Sequence, residues 1–170
     1  EDGILAGVEL AERIFNYYDA DLKITKFIND GDKIKVGDIA FEIEGKSRSI
    51  LATERIVLNF MQRMSAIATQ TRRIVDSIDH TNAKLLDTRK TTPGIRAIEK
   101  WAVKIGGGYN HRFGLYDMIM IKDNHIDYSG GIEASILKAN EYIKAKNLDI
   151  KIEIEVRDEK ELDEVLAIGK

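Results

Sequence analysis

The chain has 170 residues with 44% hydrophobic and 32% charged side chains, an ordinary balance for a folded protein of one domain or parts of two. A net charge of −3 argues against a general nucleic-acid surface, no apolar run is long enough to span a membrane, and any anion site must be a local cluster of cations. With no cysteine there is neither a disulfide framework nor a thiolate metal site, which fits a reducing cytoplasm.

In chain order, residues 1–50 read as strands and turns. Gly3 to Val8 is a short apolar segment, and Asn29-Asp30-Gly31-Asp32 and Val36-Gly37-Asp38 are turn signals. Ile39, Phe41 and Ile43 alternate with Ala40, Glu42 and Glu44, the period of a half-buried strand, which Gly45 ends. The turn-rich run from Gly31 to Ile39 looks like a hairpin of a biotinyl or lipoyl carrier, but no carrier lysine stands in a Met-Lys-Met-like setting, so a plain hairpin is expected.

Residues 53–79 change period. Ile56, Val57, Phe60, Met61, Met64, Ile67, Ala68, Ile74, Val75 and Ile78 follow helical spacing, with Thr53 expected to cap the start. The small residues Ser65-Ala66-Ile67-Ala68-Thr69 allow close packing or a break, and the segment is expected to bridge two domains. Strand and helix then alternate: strand Lys84–Asp87, helix Gly94–Ile105 on Ile95, Ile98, Ala102 and Ile105 closed by Gly106, strand Met118–Ile121, helix Ile132–Ala145, strand Ile150–Val156, and helix Glu159–Ile168 on Leu162, Val165 and Leu166. Such alternation predicts a parallel sheet, open or closed into a barrel.

In folds of this kind the chemistry gathers at the carboxyl ends of the strands. There the chain places Asp87-Thr88-Arg89-Lys90, then Lys122-Asp123-Asn124-His125, then Glu155-Val156-Arg157. Arg89 and Lys90 combine a forked donor with a compact point charge, suited to carboxylate and phosphate, although an isolated Arg-Lys pair is ordinarily a solvated loop. His111 and Arg112 follow Gly106-Gly107-Gly108, which permits close backbone approach to a ligand or simply makes a flexible connector. Lys122 directly follows four apolar residues and must lie at the sheet's end or be paired, with Asp123 as the plain partner; Asn124 and His125 suit a helix cap. Glu153 and Glu155 share one face of their strand; they are either wet or matched by cations or magnesium. Arg55 taken alone is an exposed helix arginine, and His80 reads as structural.

Two stretches carry a further signal: Leu86-Asp87-Thr88-Arg89-Lys90-Thr91-Thr92-Pro93-Gly94-Ile95-Arg96, and Gly106-Gly107-Gly108-Tyr109-Asn110-His111-Arg112 on through Met120-Ile121-Lys122-Asp123-Asn124-His125. With Leu5-Ala6-Gly7, Glu54 to Asn59, Ser65 to Thr69 and 153–156, they resemble the quinolinate phosphoribosyltransferases over nearly the whole chain. Departures are Ala66, where that family usually has glycine, and Trp101, where tyrosine is common.

The resemblance implies an α/β fold: part of a smaller α/β sandwich domain over 1–63, with the start of a bridging helix, then the first part of an open α/β barrel of parallel strands over 64–170. It implies conversion of quinolinate and phosphoribosyl pyrophosphate to nicotinate mononucleotide, pyrophosphate and carbon dioxide in NAD biosynthesis, with Mg2+. Arg89, Arg112 and Arg55 would hold the quinolinate carboxylates, and His111, Lys90 and Lys122 would complete the cationic pocket. Lys90, Lys122 and Glu155 would be catalytic, Glu155 as the metal- and ribose-side carboxylate. Arg55 would act across a homodimer interface with shared active sites. The implied partners are the two substrates, with no nucleic acid and no membrane. Glu1 and Ile168-Gly169-Lys170 look like cut ends of a longer enzyme, so the 170 residues alone are expected to lack turnover. The alternatives are a barrel paralogue acting on another anionic substrate and a non-catalytic anion-binding module.

Overall fold

A computed structural model describes Asp2 to Ile168; Glu1, Gly169 and Lys170, which include the ends read as cut, lie outside the described residues. The architecture is mixed α/β, and the chain divides into two compact units after His111. Among the described residues no helix is long and apolar enough to cross a membrane.

The first unit begins with strand β1 (Gly3–Ile4), which pairs antiparallel with β3 (Lys33–Ile34). Strand β2 (Lys23–Lys26) pairs antiparallel with β4 (Phe41–Glu44), whose burial alternates as read for 41–44; Ile39, read as part of the same strand, lies before it and is exposed. Both expected turns form, with Gly31 and Gly37 at φ of 96° and 95° and the Asp32 and Asp38 N–H groups donating to the Asn29 and Lys35 carbonyls at 3.2 Å; the expected hairpin over 31–39 does not, because β3 pairs with β1 and β4 with β2.

Reading 1–50 as strands and turns misses helix α1 (Val8–Tyr18). It buries Val8, Ala11 and Phe15, spaced three and four apart. Its start has no local capping side chain; Gly7 turns the chain with φ 102°, and the Asp30 carboxylate accepts the Val8 N–H at 2.8 Å. The cap therefore comes from a loop 22 residues away and is invisible to a local reading.

Helix α2 (Ser47–Ile78) spans 32 residues, about 48 Å at 1.5 Å per residue. It starts six residues before Thr53, which is not its cap: the buried Thr53 Oγ1 donates back to the Ser49 carbonyl at 2.8 Å. The small segment 65–69 packs closely and does not break. Ser65 Oγ accepts the Ala6 N–H at 2.9 Å, and Thr69 Oγ1 accepts the Ile4 N–H at 2.8 Å, so α2 side chains satisfy the backbone around β1. Val57 joins one buried cluster, with Ala11, Phe15 and Leu22; Met64 and Ala68 join another, with Ile4, Ala6 and Ala102.

Helix α3 (Arg96–Ile105) packs on α2 through Ile98, Ala102 and Ile105, as its spacing predicts, and Gly106 closes it. A Cβ at Gly106 would stand 2.6 Å from the Ala68 carbonyl oxygen, which explains glycine there on packing grounds: its φ of −69° suits any residue. A charged tie reinforces the helix pair. Arg63 on α2 donates through Nε (3.0 Å) and Nη2 (2.6 Å) to Glu99 Oε1 on α3, and Thr92 adds its N–H and hydroxyl to the same carboxylate. The segment 84–87 is not a strand: it makes one isolated parallel bridge, Leu86 to Tyr109, with hydrogen bonds on either side of Tyr109 only.

In the second unit β5 (Met118–Ile121) and β6 (Lys151–Ile154) pair in parallel, Met120 beside Glu153. Between them lie α4 (Asp123–Ser129), not foreseen beyond its capping residues, and α5 (Ile132–Lys146). Helix α6 (Glu159–Ile168) follows. Ile121, Ile126, Ile132 and Ala139 form the buried centre. Val165 and Ile168 pack against it, whereas Leu162 and Leu166, read as core, are exposed because α6 covers the cluster with another face.

Burial alone would raise the Glu99 carboxyl, but the bonds from Arg63 and Thr92 outweigh it and hold the group below its ordinary value. A depressed carboxylate contributes stability above its unfolded value, near 4.5, and that contribution is lost as pH falls through the folded value. Glu99→Gln should destabilise the chain by about 1–3 kcal/mol at pH 7. In urea unfolding across pH, the gap between wild type and variant should close progressively below the ordinary glutamate range; a gap constant to pH 3 would mean the charge on Glu99 contributes nothing.

Candidate active site

The stretch after the Leu86 bridge is held from beneath by α3. Lys90 donates its N–H to Thr88 Oγ1 at 3.0 Å, which tightens the turn. Arg96 donates through Nε to Thr91 Oγ1 at 3.1 Å and through Nη2 to the Arg89 carbonyl at 3.3 Å, while Glu99 holds Thr92. Gly94, with φ 82°, then leads into α3. Arg89 and Lys90 make no ion pair with any described residue, and the buried Arg89 Nε has no partner among them.

A second anchor lies one residue further along α3. The Lys100 side chain is 2% exposed and donates its Nζ to Asp87 Oδ1 in a very short contact; the Asp87 side chain is 7% exposed. Asp87 Oδ1 also accepts the His111 N–H at 2.9 Å, and Lys100 Nζ donates to the His111 carbonyl at 2.9 Å. The Asn110 amide, turned so that both acceptors are met, donates to Asp87 Oδ2 at 2.8 Å and to the Lys100 carbonyl at 2.9 Å. One buried carboxylate thus joins the start of the Arg89-Lys90 stretch to the His111 stretch.

In the second unit, the Asp117 carboxylate accepts the N–H groups of Phe113 (2.6 Å) and Gly114 (2.8 Å) and shapes the turn after Arg112. Arg112 reaches back to the Met118 carbonyl at 3.4 Å and lies 3.3 Å from Met120 Sδ, with no described carboxylate partner. Lys122 stands at the end of β5 as expected. Its partner is Glu155 and not Asp123: Nζ donates to both Glu155 oxygens, at 2.8 and 2.9 Å, while Asp123 accepts the Asn124 N–H. The Glu155 N–H donates to the Ile121 carbonyl, carrying the ladder one step past β6. Both side chains are over two-fifths exposed, so water screens the pair and it is weak. His125 Nδ1 accepts the Lys122 N–H at 2.9 Å, the capping role read for it. Arg157 is taken by Glu161 and Asp127.

Of the seven residues singled out, Arg89, Lys90 and His111 lie in the first unit, where Asp87, two residues before Arg89, accepts the His111 N–H; Arg112, Lys122 and Glu155 lie in the second, with Lys122 joined to Glu155. Arg55 stands exposed on α2, lining a groove of about 850 Å³ with Leu58, Asn59, Gln62 and Arg73. Among the described residues no group of three or more carboxylate, histidine or cysteine side chains is gathered for a metal. A magnesium ion held beside the single carboxylate of Glu155 would have to take the rest of its shell from phosphate and water. The sequence reading missed Asp87, Lys100, Glu99 and Arg63 as organisers. The only signal was two adjacent opposite charges on a short amphipathic helix beside a cation-bearing loop.

Residues 1–65 match the family model described as quinolinate phosphoribosyl transferase, N-terminal domain, and residues 67–170 match the C-terminal domain model of the same family. The chain is 50% identical over 166 residues to quinolinate phosphoribosyltransferase (decarboxylating) 1b of Nicotiana tabacum, covering 98% of the chain and 47% of that protein. It is 49% identical, with the same coverage, to the chloroplastic nicotinate-nucleotide pyrophosphorylase (carboxylating) of Arabidopsis thaliana. Among solved structures, NadC from Streptococcus pyogenes superposes with a TM-score of 0.92 at 42% identity, and the nicotinate-nucleotide pyrophosphorylase of Francisella tularensis with 0.91 at 41%; each match covers 99% of this chain and 59% of the other. The chain spans about half the length of the curated relatives it matches. With both domain models matched in order along its length, the chain belongs to the quinolinate phosphoribosyltransferase family.

Proposed function

We propose that the protein of which this chain is part transfers a phosphoribosyl group from phosphoribosyl pyrophosphate to quinolinate, releasing pyrophosphate and carbon dioxide and forming nicotinate mononucleotide for NAD biosynthesis. The observation that carries this reading is the bracing of two cation-bearing stretches by one helix in a chain of this family: Lys100 holds Asp87, which accepts the His111 N–H, and Arg96 and Glu99 hold the backbone that carries Arg89 and Lys90. Residues 1–63 would be part of a sandwich domain and 64–170 the first part of an open barrel, the parallel β5–β6 pair supporting the latter.

Quinolinate carries two carboxylates, which forked guanidinium donors suit. Arg89 and Arg112 would hold them, with Arg55 contributed by the partner subunit of a homodimer. The exposed Leu58 in the same groove as Arg55 supports a dimer surface there. Lys90, His111 and Lys122 would keep the pocket cationic where charge builds on the leaving pyrophosphate. Glu155, held ready by Lys122, would face the cationic character that develops on the ribose. Magnesium bound with the pyrophosphate, beside Glu155, would neutralise leaving-group charge. No protein nucleophile is required, in keeping with the absence of cysteine. That absence also supports a reducing compartment, the cytoplasm, although the Arabidopsis relative is named as chloroplastic.

Carbon dioxide release from carboxyl-labelled quinolinate by the full-length protein tests the reaction; it should depend on phosphoribosyl pyrophosphate, and carboxyl-labelled pyridine monocarboxylates should release none. Arg112→Lys keeps the charge but loses the fork, so quinolinate binding should weaken by about 1–3 kcal/mol in calorimetry. Unchanged affinity in the folded variant would remove Arg112 from the pocket. For the dimer, full-length Arg55→Ala and Lys122→Ala proteins, each inactive, should regain part of the activity when mixed under subunit exchange. Heterodimers that form without recovery would assign Arg55 and Lys122 to the same subunit's site.

A further inference from the structure

We propose that Lys100 is a charge-masking residue: by neutralising Asp87 from beneath, it lets a carboxylate organise an anion-binding loop without repelling the anion. The inference deepens the reading of the site above and rests on it.

The geometry poses the problem directly. Asp87 lies two residues before Arg89 and accepts the backbone N–H of His111. A carboxylate is the acceptor best able to hold an amide N–H, an asparagine amide and a lysine at once. It is also a negative charge among groups proposed to receive a dicarboxylate. Unmasked, a unit charge several ångströms from a charged ligand acts through a medium of effective dielectric about 20, and opposes binding by roughly 10- to 100-fold per ligand charge. Lys100 removes that charge. It approaches from α3, is almost fully buried, and donates a second N–H to the His111 carbonyl. It therefore acts through Asp87 and is a positioning residue that need not touch substrate.

A purely structural ion pair makes a different prediction, because it would matter only for the stability of the fold. The variants are Lys100→Met, which leaves the Asp87 charge exposed to the site, and the double variant Asp87→Asn with Lys100→Met, which leaves a neutral acceptor for the His111 N–H and no charge to mask. Both are made in the full-length protein, with folding checked by circular dichroism, and titrated calorimetrically with quinolinate and separately with inorganic pyrophosphate. Lys100→Met should lose at least about 10-fold in affinity for both anions, and the double variant should return to within about threefold of wild type. Removing one partner of a buried pair is strongly destabilising, whereas replacing both is often tolerated. If Lys100→Met does not fold, the double variant decides: near-native anion affinity supports masking, and a 10-fold or greater loss overturns it. Equal weakening of the folded single and double variants would show that the ion pair acts through shape alone, and native affinity in Lys100→Met would show that no masking is needed. Wild-type protein that binds pyrophosphate but not quinolinate would instead refute the substrate assignment and leave the masking test intact.

Discussion

A buried carboxylate is tolerable only when its charge and lone pairs are met, and the arrangement of the first unit's cation-bearing loops follows from how Asp87 meets that condition. Leu86 and Tyr109 make one isolated bridge, so no continuing ladder fixes the backbone beyond it. Asp87 replaces that ladder with side-chain bonds to the His111 N–H, the Asn110 amide and Lys100 Nζ. Neighbouring Glu99 does the same for Thr92. Two adjacent residues of α3, one anionic and one cationic, thereby brace both ends of the stretch that carries Arg89 and Lys90.

That bracing is only as rigid as α3, and α3 is fixed by close approach to α2. Gly106 lies where a Cβ would strike the Ala68 carbonyl and Thr71, and Gly108 is similarly crowded by Val103 and Thr71. The glycine run, whose sequence allows either close approach to a ligand or a flexible connector, packs against α2 at two of its three positions. Only Gly107, with φ 93°, uses glycine's freedom of conformation. Packing of small residues on α2, a braced helix and a cationic loop form one line of dependence from core to surface.

What the sequence discloses here is what is local. The apolar period of α2 and α3, the alternation over 41–44, the two glycine turns and the strand at 118–121 are short-range patterns, and each is found; the strand read over 150–156 is found over 151–154. The motif residues Arg89, Lys90, His111, Arg112 and Lys122 were legible as a motif. What stayed hidden is nonlocal. Helix α1 is capped by Asp30, and the start of α2 is fixed by Ser49 bonding to Asp19, 30 residues earlier, rather than by Thr53. Lys122 meets Glu155 across the parallel pair, 33 residues on, although a nearer acid follows it directly. Lys100 looks like a solvated helix lysine until the fold places Asp87 over it, because nothing in a single chain marks which of many charges will be buried together.

The most direct measurement of the central claim is native-state hydrogen exchange at the His111 amide in the full-length protein. If Asp87 holds it as described, that amide exchanges as slowly as amides inside α3, since opening it requires breaking a buried charge pair. Exchange as fast as that of exposed loop amides would show that the node does not persist in solution, and the account of the site built on it would fail.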